Sequence, residues 1–414
     1  MERYKEYKNS GVQWIGDIPS HWKTPNIGRI FDIKAGGDVK PEYYSFIKDE
    51  EHPYPVYTNT KDPLSVYAYT SKPIFKEHTI TVTGRGEIGR AIFRKTPYDA
   101  IIRLLSLSPK LLLNCEFFTY FIDVVIPFTS DSAAIGQLSA VQIKPKIVVF
   151  PPLTEQNKIV SYLNFKTSKI DEYIVEKEKE VQLLNELKEA EIAKVVTQGL
   201  NPNVKIKDYD SLISSSCPEN WSIVRNKSFL SLTGEKVGSR ANEFLLLSLT
   251  TKGVIVRDVE SGKGKFPKDF DTYQYVRKGE LVFCLFDIDE TPRTVGLVET
   301  EGMLTGAYTA LKVNPKLALP EYIYNYYLCV DNIKALKPYY SGLRKTIRAD
   351  KFLQIYMPLP PLDEQRAIIA YINEKTEKVD SLITDLQAEI EHLKEYKQRL
   401  IADCVTGQVN VQNE

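Results

Sequence analysis

The sequence predicts an α+β chain in which two mixed α/β globular parts are separated by two long helices that form an antiparallel coiled coil, the whole being a pseudo-twofold repeat. Three observations carry this. Pro-Pro-Leu-Thr-Glu-Gln at Pro151 to Gln156 returns as Pro-Pro-Leu-Asp-Glu-Gln at Pro360 to Gln365, and at an ungapped offset of 209 residues about 22 of the 51 positions from Pro151 to Asn201 are identical. Pro-x-x-Trp opens both globular parts, at Pro19 to Trp22 and at Pro218 to Trp221. Between these markers the same order of elements recurs even where the residues do not. The expected boundaries are 1–150 for the first globular part, 151–205 for the central repeat helix, 206–359 for the second globular part and 360–414 for the C-terminal repeat helix.

In each globular part, short β-branched or apolar runs punctuated by glycine and proline read as strands: Thr79 to Thr83, Ala91 to Phe93, Phe244 to Leu249, Glu280 to Phe286 and Ala310 to Val313. An aromatic helix follows, at Cys115 to Val125 and at Glu321 to Val330, then a polar loop, Thr129 to Ser139 or Tyr339 to Arg348. A strand-like run leads into the proline pair. There a helix should start, with Thr154 or Asp363 as its cap and a carboxylate next to it where the helix dipole favours negative charge. In the second copy Val379, Leu386, Leu393 and Leu400 recur every seven residues, with Ile383, Ile390 and Cys404 offset by four, which is an a/d seam. The first copy offers Ile170, Ile174, Val181, Leu184, Leu187, Ile192 and Val195, interrupted by Lys177 and Lys188. The two stripes can bury each other. A continuous helix from Thr167 to Gln198 runs about 45 Å at 1.5 Å per residue, and Gly199 and Gly407 stand where such helices stop.

Composition narrows the function. No apolar run reaches the ~18 residues of a membrane span, and the charged Met1 to Ser10 is unlike a signal peptide, so a cytoplasmic protein is expected. The cysteines Cys115, Cys217, Cys284, Cys329 and Cys404 are scattered, without C-x-x-C, and suggest neither a disulfide framework nor a zinc site. Net charge is zero overall, yet residues 1–150 carry 19 Lys+Arg against 16 Asp+Glu and 206–359 carry 21 against 18, whereas 151–205 carry 8 against 9 and 360–414 carry 6 against 11. The globular parts are mildly basic and the helices acidic, which leans weakly towards nucleic acid.

Catalytic signatures are missing from the sequence. Gly84 to Gly89 spells G-x-G-x-x-G, but a second strand rather than a helix follows, so a hairpin turn is expected there. Gly262-Lys263-Gly264-Lys265 lacks the spacing and hydroxyl of a P-loop, and no Asn-Pro-Pro-aromatic or Asp-Pro-Pro-aromatic tetrapeptide occurs. The histidines His21, His52, His78 and His392 are not spaced as metal ligands. Binding remains. The loop Tyr339 to Arg348 mixes aromatics, glycine and cations, which suits phosphate contact by Lys345 and reading of a guanine edge by Arg344 or Arg348. Its counterpart offers Ser130 and Gln137, the latter suited to adenine, and Arg85, Arg90 and Arg293 are weaker candidates.

Two Pro-x-x-Trp-headed divergent parts, each followed by Pro-Pro-Leu-x-Glu-Gln and a long helix ending near Val-Thr, resemble the specificity subunit of bacterial type I restriction-modification enzymes. Ser10-Gly11-Val12-Gln13-Trp14-Ile15-Gly16-Asp17-Ile18-Pro19 is similar to the start of such subunits. The resemblance implies a non-catalytic subunit with two target recognition domains, each reading one half of a split double-stranded DNA sequence, held apart by the paired helices. Half-sites one helical turn apart, ~34 Å, suit a rod of this length. It also implies partners: two modification (methyltransferase) subunits docked on the acidic helix faces, and translocating restriction subunits. S-adenosylmethionine, ATP and magnesium then belong to the partners, and this chain takes no cofactor. Competing readings are a coiled-coil scaffold that binds protein alone, a nuclease or methyltransferase acting alone, and recognition coupled to a fused methyltransferase-nuclease polypeptide.

Overall fold

The computed structural model describes residues 2–60, 62, 65–128, 136–209, 211–257, 270 and 272–412. The chain divides into two compact units, Met1–Glu178 with Gln387–Glu414, and Lys179–Leu386, so each boundary falls within a long helix.

In the first unit the core is an antiparallel sheet of β1 (Phe31–Ala35), β2 (Thr79–Val82), β3 (Ala91–Arg94) and β4 (Leu105–Pro109), in the order β1-β4-β2-β3. The turn joining β2 to β3 holds the G-x-G-x-x-G stretch, with Gly86 and Gly89 at positive φ, so those glycines serve a hairpin as expected. Helix α1 (Cys115–Val124) packs on this sheet through Phe117, Phe118, Phe121 and Ile122, all fully buried. The second unit repeats the design with β5 (Leu230–Leu232), β6 (Leu281–Phe283), β7 (Val295–Leu297) and β8 (Thr309–Val313), in the order β5-β8-β6-β7, covered by α3 (Pro320–Asn332). Here Tyr322, Ile323, Tyr326 and Tyr327 fill the core. The units differ in the smaller sheets added between the strands of each core sheet. The first carries a four-stranded satellite built from Tyr44–Ser45, Ala68–Thr70, Tyr54–Tyr57 and Asp99–Ala100. The second carries a three-stranded sheet of Glu235–Lys236, Tyr273–Val276 and Gly302–Thr305, and a hairpin of Leu247–Thr250 with Gly253–Val256.

The long helices are α2 (Leu153–Gln198, 46 residues) and α4 (Leu362–Val405, 44 residues). They start earlier than expected. The carbonyls of Pro152 and Pro361 accept the first intrahelical bonds, from the amides of Gln156 and Gln365, so Thr154 and Asp363 lie inside the first turn and not at the cap. Proline suits this place because its missing N–H is one that a helix start leaves unbonded. Within the first unit Lys397 Nζ lies 2.6 Å from Asp171, and Lys177 Nζ 3.2 Å from Glu389. Within the second, Lys188 Nζ lies 2.5 Å from Asp380 and Tyr371 Oη donates to Glu191 at 2.6 Å. In both sets one number rises as the other falls, so the helices run antiparallel. The repeat offset converts Lys188–Asp380 into Lys397–Asp171, so the same ion pair is built twice. Lys177 and Lys188, which look like interruptions of the apolar stripe, are therefore cross-helix partners.

Along these helices Ile174, Ile383, Leu386, Ile390 and Leu400 are buried, and Ile170, Val181, Leu184, Val379 and Leu393 half-buried. Leu187 departs from the expected stripe: it is 60 % exposed on the rim of a cavity of about 310 Å³ lined also by Ile192, Val195, Tyr371 and Thr376. Gly199 follows α2 at φ +73°, and Gly407 follows α4 at φ +75°. Each has a second reason to be glycine: a Cβ at Gly407 meets the Pro19 ring at 2.5 Å, and one at Gly199 meets Glu364 Oε1 at 2.6 Å and Trp221 at 3.4 Å. The helix ends thus rest on the Pro-x-x-Trp motifs.

Candidate nucleic-acid interface

The proline-pair motif is the joint that positions each globular part on its helix. Gln156 is fully buried; its Nε2 donates to the Pro151 carbonyl at 2.8 Å and its Oε1 accepts from the Asn114 amide at 2.8 Å, the N-cap residue of α1. Gln365 is equally buried, donating to the carbonyls of Pro360 and Leu317 and accepting from the Leu319 amide, the N-cap of α3, at 2.9 Å. One glutamine thus buckles the aromatic helix of each unit to the start of its long helix. The preceding glutamate holds the Pro-x-x-Trp segment. Glu155 accepts from Trp22 Nε1 at 3.0 Å and from Tyr4 Oη at 3.1 Å, and lies 2.7 Å from His21 Nε2; Glu364 accepts from Asn220 at 3.2 Å. The tryptophan bond is not repeated: Trp221 Nε1 is buried and has no hydrogen-bond partner among the described residues.

A second joint also recurs. Asp123 at the end of α1 accepts the Ala91 amide at 2.8 Å and pairs with Arg90 at 2.9 Å. In the second unit Asp331 accepts the Thr294 amide at 2.8 Å and takes Lys334 at 2.7 Å and Arg293 at 3.7 Å. Burial raises the Asp123 carboxyl above its ordinary range, with the Ala91 amide and Arg90 working the other way. Arg90 and Arg293 therefore have their charges matched by the aspartates that pin β3 and β7 to the aromatic helices. This is a positioning arrangement, not the free surface cation that their sequence neighbourhoods suggest.

The remaining candidates are placed as follows. Arg85 is exposed on the β2–β3 turn and donates through Nη2 to Gln137 Oε1 at 3.2 Å, so these two residues, 52 apart in sequence, form one polar pair. Ser130 lies outside the described residues, as do Gly262 to Lys265. In the loop before the second long helix, Arg344 is exposed. Lys345 is occupied: its ammonium lies 3.1 Å from Asp289 and 3.4 Å from Glu290. Burial opposes ionisation of Asp289, but hydrogen bonds from Lys345 and Tyr340 win and hold its carboxyl below the ordinary value. Arg348 precedes the short helix Ala349–Phe352 and pairs with Asp350 at 3.0 Å. At the foot of the loop lies a groove of about 550 Å³ lined by Tyr209, Tyr339, Ser341, Lys351 and Tyr356, among others. Among the described residues no group of three or more His, Cys, Asp or Glu side chains is placed to hold a metal ion, all five cysteines are free and buried, and no helix is long and apolar enough to cross a membrane.

Two similar α/β units, each buckled to the start of its own long helix, repeat the design of the specificity-subunit class. The sequence model of the type I restriction modification DNA specificity domain matches residues 19–189 and 295–392, well over half of the chain, and the chain belongs to that family. The Mycoplasma pneumoniae chain named as type I specificity subunit S.MpnORF89P is 28 % identical over 148 residues, covering 35 % of this chain and 44 % of that one. The type I restriction enzyme MjaVIII specificity subunit of Methanocaldococcus jannaschii is 25 % identical over 288 residues, covering 64 % of this chain and 63 % of that one. The chain thus spans less than two thirds of the length of these relatives. A chain from a solved structure on complex assembly and conformational transition of the type I R-M system shares the fold, with a TM-score of 0.67 at 14 % identity over 95 % of this chain and 99 % of that one.

Proposed function

We propose that this chain is the DNA sequence-recognition subunit of a type I restriction-modification complex and carries no catalytic step itself. The recognition domains are residues 1–150 and 206–359, each reading one half of a bipartite double-stranded site. The helical stretches 151–205 and 360–414 set the separation of the half-sites and dock two methyltransferase subunits. Restriction subunits join that core, and S-adenosylmethionine, ATP and magnesium are bound by the partners. The observation that carries this reading is the duplication of the joints. Gln156 and Gln365, Asp123 and Asp331, and the sheet orders β1-β4-β2-β3 and β5-β8-β6-β7 repeat, while the satellite strands do not. A mounting kept alike beneath surfaces that differ is what reading two unlike half-sites requires. The family match supports it. Base reading falls to side chains on those differing surfaces, and phosphate contacts fix their register without carrying sequence information.

The test is co-expression with a type I methyltransferase subunit, followed by single-molecule sequencing of methylated adenines. A split motif with a fixed gap is expected. Methylation without a split motif, or a complex that forms but never protects DNA, favours a protein-only scaffold.

A further inference from the structure

The second unit carries a structured hairpin in the loop before α4. Ser341 and Thr346 exchange both backbone hydrogen bonds at 3.1 Å, and the Lys345 amide closes the turn on the Gly342 carbonyl at 3.1 Å. Leu343 and Arg344 are therefore the two central residues of a tight turn. The hairpin is fastened to the protein on one side: the Ile347 amide donates to the Leu285 carbonyl at 2.8 Å, the Asp287 amide to the Arg344 carbonyl at 2.9 Å, and Tyr340 Oη to Asp289 at 3.1 Å. Ile347 is buried in the core of this unit, whereas Leu343 is fully exposed. Lys345 sits at φ +44°, a conformation that a lysine adopts rarely, and its ammonium is held by Asp289 and Glu290. A leucine projected into water on a fastened turn, next to an exposed arginine, suits a base pair met through an apolar contact and a guanidinium fork.

We propose that Leu343 and Arg344 are base-reading residues of the second domain, Leu343 by apolar contact with a base edge and Arg344 by hydrogen bonds to the neighbouring base pair. Lys345 is a positioning residue that holds the turn through Asp289 and Glu290 and does not contact phosphate. The foot of the hairpin opens on the groove of Tyr209, Tyr339, Lys351 and Tyr356, whose hydroxyls and ammonium suit the sugar-phosphate strand beside the read bases. This inference rests on the recognition function proposed above.

The experiment uses the full chain co-expressed with its methyltransferase. The methylated motif of the wild type is compared with those of Leu343→Ala, Leu343→Gln, Arg344→Ala and Lys345→Ala, with Leu343→Met as a volume-conserving control. Arg344→Ala is expected to relax the motif at one position of one half-site on the order of 10- to 100-fold, the range of a bidentate base contact. The Leu343 variants should relax an adjacent position several-fold, and Leu343→Met should keep the wild-type preference. Lys345→Ala should weaken that half-site without changing the slope of activity against salt, whereas a phosphate-contacting lysine lowers the slope by about one ion. The other half-site stays unchanged throughout. Equal melting temperatures exclude misfolding as the source. A wild type that yields no split motif removes the recognition function itself. A wild type with a split motif, and Leu343 and Arg344 variants that methylate every site within twofold of it or lose all sequences equally, overturns this inference alone.

Discussion

Replacing Gln365 with leucine removes the amide that joins α3 to the start of α4 while keeping the buried volume nearly constant. Three bonds are lost, to the Leu319 amide at 2.9 Å and to the carbonyls of Leu317 and Pro360 at 3.1 and 2.8 Å. The side chain is fully buried, so water does not replace it. An orphaned buried N–H costs about 1–3 kcal/mol, and the carbonyls add less because each retains a second lone pair with other options. Relief from burying the polar amide itself offsets part of this, leaving a loss of about 2–4 kcal/mol. Because the bonds lie within the second unit, the loss is local. Amide hydrogen exchange reads this directly: Leu319 and the first turn of α3 should exchange about 30- to 1000-fold faster, while α1 keeps its wild-type protection. Gln156→Leu should give the mirror result at Asn114 and α1, somewhat smaller because two bonds are lost. A change below about 0.5 kcal/mol at both sites refutes the buckle, since it would mean the bonds are made equally well by other groups.

Further outcomes follow from the same geometry. Gly407→Ala places a Cβ at positive φ and against Pro19, so it should cost about 2 kcal/mol or more in a thermal or denaturant melt, and Gly199→Ala should cost a similar amount unless Glu364 swings aside. Burial pushes the thiols of Cys115 and Cys329 up to about 12, so both stay protonated at pH 8 and should resist iodoacetamide in the native protein while reacting readily in denaturant. Fast native labelling of either residue would contradict the packing of the aromatic helices. Leu386→Pro breaks an α4 hydrogen bond and removes a buried seam residue, a loss of about 3 kcal/mol or more; copurification with the methyltransferase should fall to background, and an unchanged complex would sink the helix pair as the docking element.

The repeated halves, the long helices and the aromatic helices are legible in the sequence because each depends on local periodicity or on a motif that occurs twice. Ile383, Leu386, Ile390 and Leu400 occupy the seam that their heptad spacing announces. What the sequence conceals are pairings across long separations. Lys188 looks like a break in an apolar stripe until α4 places Asp380 beside it, and Arg90 looks like a free cation until α1 brings Asp123 back to β3. The role of Gln156 is equally hidden, since a buried amide between two backbone groups has no periodic signature. The capping expectation failed for a related reason: Thr154 and Asp363 satisfy the composition rule, but the proline carbonyls before them already begin the helix. In the loop before the second long helix, composition points to Lys345 as a phosphate contact. The acids at Asp289 and Glu290 take that lysine and leave Leu343 and Arg344 at the tip.

The central claim is that the two domains read DNA independently through a common mounting. It is tested most directly by exchanging residues 206–359 for the corresponding domain of a family member with a known motif, keeping both long helices, and mapping methylated adenines. The account predicts a hybrid motif in which one half-site changes to that of the donor while the other half-site and the gap are retained. Both half-sites changing together, or the gap changing with the domain, would contradict it.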